Sequence, residues 1–187
     1  QRLATIVRQF TSKPVIVVPN AIDLMWFRKV VNSTRRTIGG LTIGWAGGRR
    51  HDRDVEQMAI AWGRIAARYP AVTFVVQGHQ PDVIREHVPA DRLVALPWMP
   101  AEKYPSGIRQ VDIGCCAVAD TPFNRAKSNI KAMEYAAAGA AVVASPTLYT
   151  GLLQHGVSGL IADGADEWEC ALTLMVEHHA MRQMMAR

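Results

Sequence analysis

The feature that most constrains the fold is a regular alternation of short apolar runs with segments of helical periodicity. The apolar runs are four to six residues long and lack the strict polar–apolar alternation of a half-exposed sheet. Each run therefore predicts a strand that is buried on both faces. The six predicted strands are Leu41–Ala46, Val72–Val76, Leu93–Leu96, Ile113–Val118, Ala140–Ala144 and Gly159–Ala162.

Helical patterns fill the intervals between these runs. The clearest ones cover Val55–Tyr69 and Ser128–Ala138, and the second of these stops at Gly139. Strands alternating with helices imply βαβ units and a parallel sheet. We therefore predict an α/β fold: a doubly wound, Rossmann-like parallel sheet of about six strands with helices on both faces. Ligands of such sheets bind at the carboxyl ends of the strands, so the loops there are the places to look for chemistry.

The first 40 residues do not follow this alternation. Val15–Val18 is an isolated β-branched run, and Arg28–Gly40 is a polar stretch that ends in a glycine pair. We assign residues 1–40 to an interdomain linker with a leading strand, and residues 41–187 to a ligand-binding domain. Because Gln1 is not a start methionine, we expect the chain to be a piece of a longer protein.

Net charge and composition limit the classes of binding partner and the cellular compartment that we expect. The net charge of +5 favours an anionic partner, which could be a nucleotide, a nucleic acid or a membrane surface. No recognised nucleic-acid-binding motif is present. No apolar run reaches the roughly 18 residues of a membrane span. Three cysteines without metal-ligand spacing favour a reducing compartment, so we expect a cytoplasmic protein without a metal site.

The loop after the first predicted strand contains Gly47, Gly48, Arg49 and Arg50. The glycines allow the backbone to approach a ligand closely, and the arginines suit phosphate oxygens. The spacing is neither a dinucleotide fingerprint nor a Walker A loop. The alternative is a plain tight turn with solvated arginines and an aspartate helix cap.

A second candidate site surrounds the start of the helix that follows the fourth strand. Ser128 is the predicted N-cap, and Arg125 and Lys127 lie beside this positive helix end. Like charges gathered at one point are stabilised by a bound anion, and a diphosphate would satisfy them. Further along the helix, Glu134 either pairs with Lys131 or accepts hydrogen bonds from a ribose diol, and spacing alone leaves both open.

Three segments resemble group 1, retaining, GT-B-fold glycosyltransferases. Lys127–Ser145 is similar to the donor-site helix and following strand of that family, and Leu152–Ile161 is similar to the stretch after this strand. Val18–Asp23 resembles the segment that joins the two halves of these enzymes. The resemblance implies that residues 41–187 form a nucleotide-sugar-binding domain and that an N-terminal acceptor domain is absent.

The resemblance also implies roles for individual residues. The diphosphate of the donor would contact Gly47, Gly48, Arg49, Lys127, Ser128 and Asn129. Glu134 would bind the ribose. Trp98 and Met99 would contact the base, although Trp98 could equally be a half-buried core aromatic. Asn124 and Arg125 would lie beside the donor sugar.

The expected function is transfer of a sugar from a nucleotide-diphosphate sugar to an acceptor hydroxyl with retention, without a cofactor. A saccharide or lipid-linked acceptor would be held by the other domain, and a lipid-linked one would bring peripheral membrane contact. Ala126 stands where the family has a first glutamate, which favours a non-catalytic nucleotide-binding module as an alternative. A nucleotide-sugar epimerase of the same fold is the other alternative.

Overall fold

A computed structural model describes residues 2–48 and 52–186 of the chain. It contains one six-stranded, all-parallel sheet with the order β3-β2-β1-β4-β5-β6. The strands are β1 Leu41–Gly47, β2 Val72–Gly78, β3 Leu93–Leu96, β4 Ile113–Cys116, β5 Ala141–Ala144 and β6 Leu160–Ile161. Each predicted apolar run thus contributes a strand, and the predicted doubly wound α/β class is confirmed.

The described residues form α-helices and two short 3-10 helices. The α-helices are α1 Arg2–Val7, α2 Leu24–Ser33, α3 Asp52–Arg68, α4 Asp82–His87, α5 Tyr104–Ile108, α6 Ile130–Ala137, α7 Pro146–Tyr149, α8 Gly164–Glu177 and α9 His179–Met185. The 3-10 helices are Ala90–Arg92 and Asn124–Ala126. Helices α3, α4, α8 and α9 pack around one face of the sheet, and α2, α5 and α6 around the other.

Each face buries its own apolar cluster. On one side the stripe of α3 that carries Val55, Met58 and Trp62 is fully buried, and the Trp62 ring packs on Phe74 of β2 at 5.1 Å between centroids. On the other side Tyr135 of α6 packs on Gly114 of β4, where a Cβ would lie 2.3 Å from the tyrosine ring. Because both faces are covered, the strands read as continuous apolar runs.

The order of the strands reverses between β1 and β4, which is the switch point of the sheet. At a switch point the loops leave adjacent strands toward opposite faces and open a crevice between them. Here those loops are the Gly47–Gly48 turn after β1 and the segment 117–129 after β4, which we call the β4–α6 loop. The topology therefore brings the two candidate sites of the sequence to the same edge of the sheet.

Several predicted elements need correction. The run Val15–Val18 has no regular secondary structure and lies outside the sheet, so the leading strand is wrong. Helix α2 lies within the predicted linker and packs on the domain, because Phe27 and Val31 are buried on the α5 and α6 side. Helix α6 begins at Ile130 rather than Ser128. The C-terminal segment forms two helices that meet at His178.

The opposite end of the sheet is held by an ion pair. The Arg36 guanidinium donates to both carboxylate oxygens of Asp112 at 2.5 Å, and the amide of Thr42 donates to the same carboxylate at 2.8 Å. This ties the segment before β1 to the start of β4. None of the helices in the described part of the chain combines the length and the apolar character needed to cross a bilayer.

Candidate functional site

A cavity of about 240 Å³ opens at the carboxyl ends of β1 and β2, beside the switch point. We call it the switch-point cavity. Its walls come from five parts of the chain, namely the ends of β1 and β2, the segment after β3, and helices α5 and α6. The lining residues are Ala46, Gly47, Gly48, Gln77, Gly78, Trp98, Met99, Tyr104 and Lys131. The structure thus brings together four of the predicted site residues, Gly47, Gly48, Trp98 and Met99.

The backbone at Gly47 is held closely on two sides. A Cβ on Gly47 would lie 2.2 Å from the indole ring of Trp45, and a Cβ on Gly78 would lie 2.5 Å from the Gly47 carbonyl oxygen. That carbonyl accepts a hydrogen bond of 2.9 Å from the amide of His79. The ends of β1 and β2 can therefore pack only because both positions are glycine, as expected where backbone approaches backbone. Nothing lies within 4 Å of a Cβ built on Gly48.

Trp98 is 73% exposed and also borders a neighbouring cavity of about 480 Å³ with Gly48 and His79. The interpretation of Trp98 as a half-buried core aromatic is therefore wrong. An exposed indole beside a cavity is a surface on which a planar ring can stack. Met99 lies partly buried next to it and contributes a soft, polarisable wall.

Lys131 is a lining residue that the sequence had suggested only as a partner of Glu134. Its ammonium nitrogen lies 5.2 Å from the centroid of the Trp45 ring. Burial lowers the pKa of Lys131 below its usual range. A desolvated cation of this kind is stabilised when an anion binds beside it. Lys131 therefore supplies the positive charge that faces the Gly47–Gly48 turn.

Glu134 lies one turn further along α6. Burial raises its pKa, while the hydroxyl of Tyr104, which donates to Glu134 Oε2 at 3.2 Å, and the nearby Lys131 act in the opposite direction. Within the residues that the structure describes, no ion pair joins Lys131 to Glu134. Lys131 and Glu134 therefore attract each other electrostatically without a direct ion pair. One carboxylate oxygen is engaged by Tyr104, and a carboxylate can accept further hydrogen bonds from a ligand diol.

Lys127 borders different cavities from Lys131. It borders a cleft of about 1040 Å³ that also contains Asp54, Asn124 and Arg125. Its ammonium pairs with Asp54 at 3.3 Å and lies 5.1 Å from the centroid of the exposed Phe123 ring. The two lysines repel each other electrostatically. Burial is the main cause of the lowered pKa of Lys131, and the charge of Lys127 lowers it further.

Ser128 and Asn129 precede α6, and Ser128 accepts a hydrogen bond from the first turn of the helix, as the predicted N-cap would. Asn129 occupies the N-cap position without a side-chain hydrogen bond to the helix, and the amide of Ile130 donates to Ser128 Oγ at 3.1 Å. Both residues border an apolar groove of about 600 Å³ along α1 and the segment 15–20. The structure therefore places Lys127, Ser128 and Asn129 next to the switch-point cavity rather than in its wall.

The two residues predicted for the sugar behave differently. Arg125 is exposed and makes a bidentate ion pair with Asp120, which raises the pKa of Arg125 and lowers that of Asp120. Asn124 is 4% exposed, and its amide group donates to Asp54 Oδ1 and to the Ala119 carbonyl. Asn124 therefore stabilises the loop. The predicted phosphate ligand Arg49 lies outside the described residues.

Sequence reasoning gave no ligand role to Lys131, and it missed Tyr104 and Asp54 as parts of the site. Lys131 could have been found, because it lies one turn before Glu134 on the same helix face. The approach of Tyr104 to Glu134 joins residues 30 positions apart, and that of Asp54 to Asn124 joins residues 70 positions apart. No local pattern in the sequence reports such contacts.

Solved structures of low sequence identity share this fold. A structure of Anabaena Alr3699/HepE in complex with UDP is 16% identical with a TM-score of 0.74, over 99% of this chain and 54% of that one. The C-terminal domain of the group 1 glycosyl transferase LpcC from Francisella tularensis is 17% identical with a TM-score of 0.68, over 90% of this chain and 89% of that domain. Sucrose-phosphate synthase from Thermosynechococcus elongatus is 13% identical with a TM-score of 0.68, over 100% of this chain and 50% of that one.

At these identities the structures show the fold alone, and the chain spans about half the length of the first and third. A comparison with curated proteins finds no significant match. A sequence model of the family described as "Glycosyl transferases group 1" matches residues 40–177, which is well over half of the chain. The parallel sheet and its switch-point cavity agree with this match, which shows that the chain belongs to the group 1 glycosyl transferases.

Proposed function

We propose that this chain is the donor-binding half of a retaining glycosyltransferase that takes its sugar from a nucleotide-diphosphate sugar. The observation that carries the proposal is the switch-point cavity, in which a glycine turn, a desolvated lysine and an exposed indole converge. Each of these matches one part of a nucleoside diphosphate. The UDP bound in the HepE structure supports UDP as the first donor nucleotide to test.

The diphosphate fits beside Gly47, Gly48 and Lys131. A glycine turn has no side chains that would keep backbone amides away from phosphate oxygens, and the ammonium of Lys131 neutralises part of their charge. Lys127 borders the adjoining large cleft and is proposed as the second cation, for the distal phosphate and the sugar. Arg49 belongs to the same turn in the sequence and is proposed as a third cation.

The nucleoside fits the opposite side of the cavity. The base stacks on Trp98 beside Met99. The ribose diol donates to Glu134, which accepts a hydrogen bond from the cavity-lining residue Tyr104 but does not itself line the cavity. Arg125 and Asp120 then lie at the mouth of the large cleft, on the Lys127 side. The sugar is proposed to extend into this cleft.

Catalysis in this proposal is electrostatic. When the bond from the anomeric carbon to the diphosphate breaks, negative charge builds on the leaving oxygen. Lysine side chains and amides that are already in position stabilise this charge, because they need no reorganisation at the moment of reaction. Such cations make a metal unnecessary. The acceptor hydroxyl belongs to a saccharide or lipid-linked molecule, which the other half of the enzyme binds.

Isothermal calorimetry with UDP, GDP, ADP, CDP and inorganic pyrophosphate tests the proposal. We expect micromolar-range binding of at least one nucleoside diphosphate and about tenfold weaker binding to Trp98→Ala, with pyrophosphate affinity unchanged. Absence of binding by every nucleoside diphosphate would contradict the proposal. Donor hydrolysis by the full-length protein then separates a transferase from a non-catalytic module, for which Ala126 is the supporting feature. An acceptor-free change of the sugar would indicate an epimerase.

A further inference from the structure

Asp54 lies in the first turn of α3, immediately after the candidate phosphate turn, but its carboxylate bonds to another part of the chain. The side chain is 7% exposed and reaches across the switch point to the β4–α6 loop. An aspartate in the first turn usually stabilises the positive end of its own helix. Here it also joins the two loops that surround the proposed donor site.

Three donors from the β4–α6 loop converge on this carboxylate. Asp54 Oδ1 accepts from the Ala119 amide at 3.0 Å and from Asn124 Nδ2 at 2.5 Å. Asp54 Oδ2 accepts from Lys127 Nζ at 3.3 Å. Asn124 closes the arrangement with a second hydrogen bond of 2.9 Å to the Ala119 carbonyl. The loop backbone and the Lys127 ammonium are thus held by the same carboxylate.

Lys127 needs such a partner in order to be positioned. Its ammonium is at the end of a flexible four-carbon stem, and the helix start beside it does not constrain that stem. The exposed Phe123 ring at 5.1 Å gives it one further contact. Without Asp54 the ammonium would be free to move into the large cleft or into solvent, and a bound anion would have to immobilise it.

We infer that Asp54 is a positioning residue of the donor site, which acts by holding the Lys127 ammonium in place for a diphosphate. The inference rests on the proposed function, because it assumes that Lys127 meets the phosphates. The inference predicts that Asp54 strengthens anion binding, although its own negative charge would weaken it. A carboxylate near an anion site repels the anion, so its removal should strengthen binding if charge alone mattered.

The test compares Asp54→Asn with Glu56→Gln, using inorganic pyrophosphate and UDP as probes in calorimetry. Glu56 is an exposed carboxylate two residues further along α3 and borders the same cleft, so its variant makes the same change of charge. We expect Asp54→Asn to bind pyrophosphate and UDP about tenfold more weakly, as loss of a charge-assisted contact implies. We expect Glu56→Gln to bind both as well as the wild type or better.

A Lys127→Ala background separates positioning from simple support of the fold. If Asp54 acts through Lys127, adding Asp54→Asn to Lys127→Ala causes no further loss, and the lost negative charge strengthens pyrophosphate binding. If Asp54 only supports the fold, the added substitution weakens binding in both backgrounds, which would overturn the inference. Should Asp54→Asn fail to fold, Asp54→Glu preserves the charge but displaces it by one methylene, and the same tenfold loss is expected.

The outcomes also distinguish this inference from the proposed function. A wild-type protein that binds neither pyrophosphate nor any nucleoside diphosphate contradicts the proposed function. A wild-type protein that binds them, together with a folded Asp54→Asn variant of equal or higher affinity, contradicts the role of Asp54 alone.

Discussion

The α-carbon of Gly47 lies so close to the Trp45 ring that a Cβ there would be 2.2 Å from two of its carbon atoms. The indole fills the space below the candidate phosphate turn, and the ammonium of Lys131 lies over the same ring. The position of this buried ring therefore fixes both the turn and the cation. Disturbing it should change stability and ligand binding together.

Gly47→Ala should lower the free energy of unfolding by about 2 kcal/mol, because the added methyl group forces Trp45 out of its packed position. It should also weaken pyrophosphate binding, since Lys131 loses its support. Gly48→Ala is the matched control for stability, because a Cβ there meets no protein atom within 4 Å. Urea denaturation and calorimetry measure both effects. Equal stability of the two alanine variants would argue against the packing explanation.

Glu134→Gln should weaken UDP binding about tenfold and leave pyrophosphate affinity nearly unchanged. The substitution keeps the size of the side chain and a carbonyl oxygen for Tyr104, but it removes the charged acceptor proposed for the ribose diol. Calorimetry with the two ligands separates the nucleoside from the phosphates. Equal losses for both ligands would remove the ribose role from Glu134.

The sequence predicted the sheet well because burial on both faces leaves a strong local signal. Val72–Val76 is such a run, and strand pairing merely extends it to Gly78. Leu93–Leu96 forms the predicted strand, but it lies at the edge of the sheet with partly buried or exposed side chains, so the expected burial on both faces is wrong there. The prediction was weaker at the start of α6, where Asn129 rather than Ser128 takes the N-cap position. Neighbouring polar residues there compete for one role, and small differences in backbone geometry decide between them.

The site was predicted only where its residues leave a local signal in the sequence. Gly47 and Gly48 carry their own signal, since a glycine pair after a buried strand indicates close approach of the backbone. The different positions of the Lys127 and Lys131 ammonium groups could not be predicted. They depend on the side chains that each lysine meets across the fold, namely Asp54 from α3 and the Trp45 ring from β1. Charge patterns along the chain do not contain these long-range contacts.

Asp112→Asn should remove an acid-sensitive contribution to stability. Burial alone would raise the pKa of Asp112, but hydrogen bonds from Arg36 and from the Thr42 amide outweigh it and lower the pKa. A carboxylate with a lowered pKa in the folded state stabilises fully above its unfolded pKa of about 3.9, and this contribution is lost as the pH falls through the lowered value.

We therefore expect Asp112→Asn to lower the free energy of unfolding at pH 7 by about 3 kcal/mol, since Arg36 keeps its charge without its partner. Below pH 4 the stability of the wild type should approach that of the variant. Asp166→Asn breaks an ion pair with Arg64 at the surface and serves as the control, with little change expected. Urea denaturation across pH 3–7 provides the measurement, and parallel pH curves for wild type and Asp112→Asn would contradict the argument.

Lys131→Met should weaken pyrophosphate binding about tenfold at pH 7, because it removes a desolvated cation whose charge the anion stabilises. The wild type should also lose pyrophosphate affinity at high pH. Because burial lowers the pKa of Lys131, the free protein becomes neutral at this position at a pH below the usual lysine value of about 10.4. Part of the wild-type affinity should therefore disappear as the pH rises toward 10, and Lys131→Met should lack that part. Calorimetric titrations from pH 7 to pH 10 measure it, and identical pH dependence of the two proteins would assign the phosphate-binding charge to another residue.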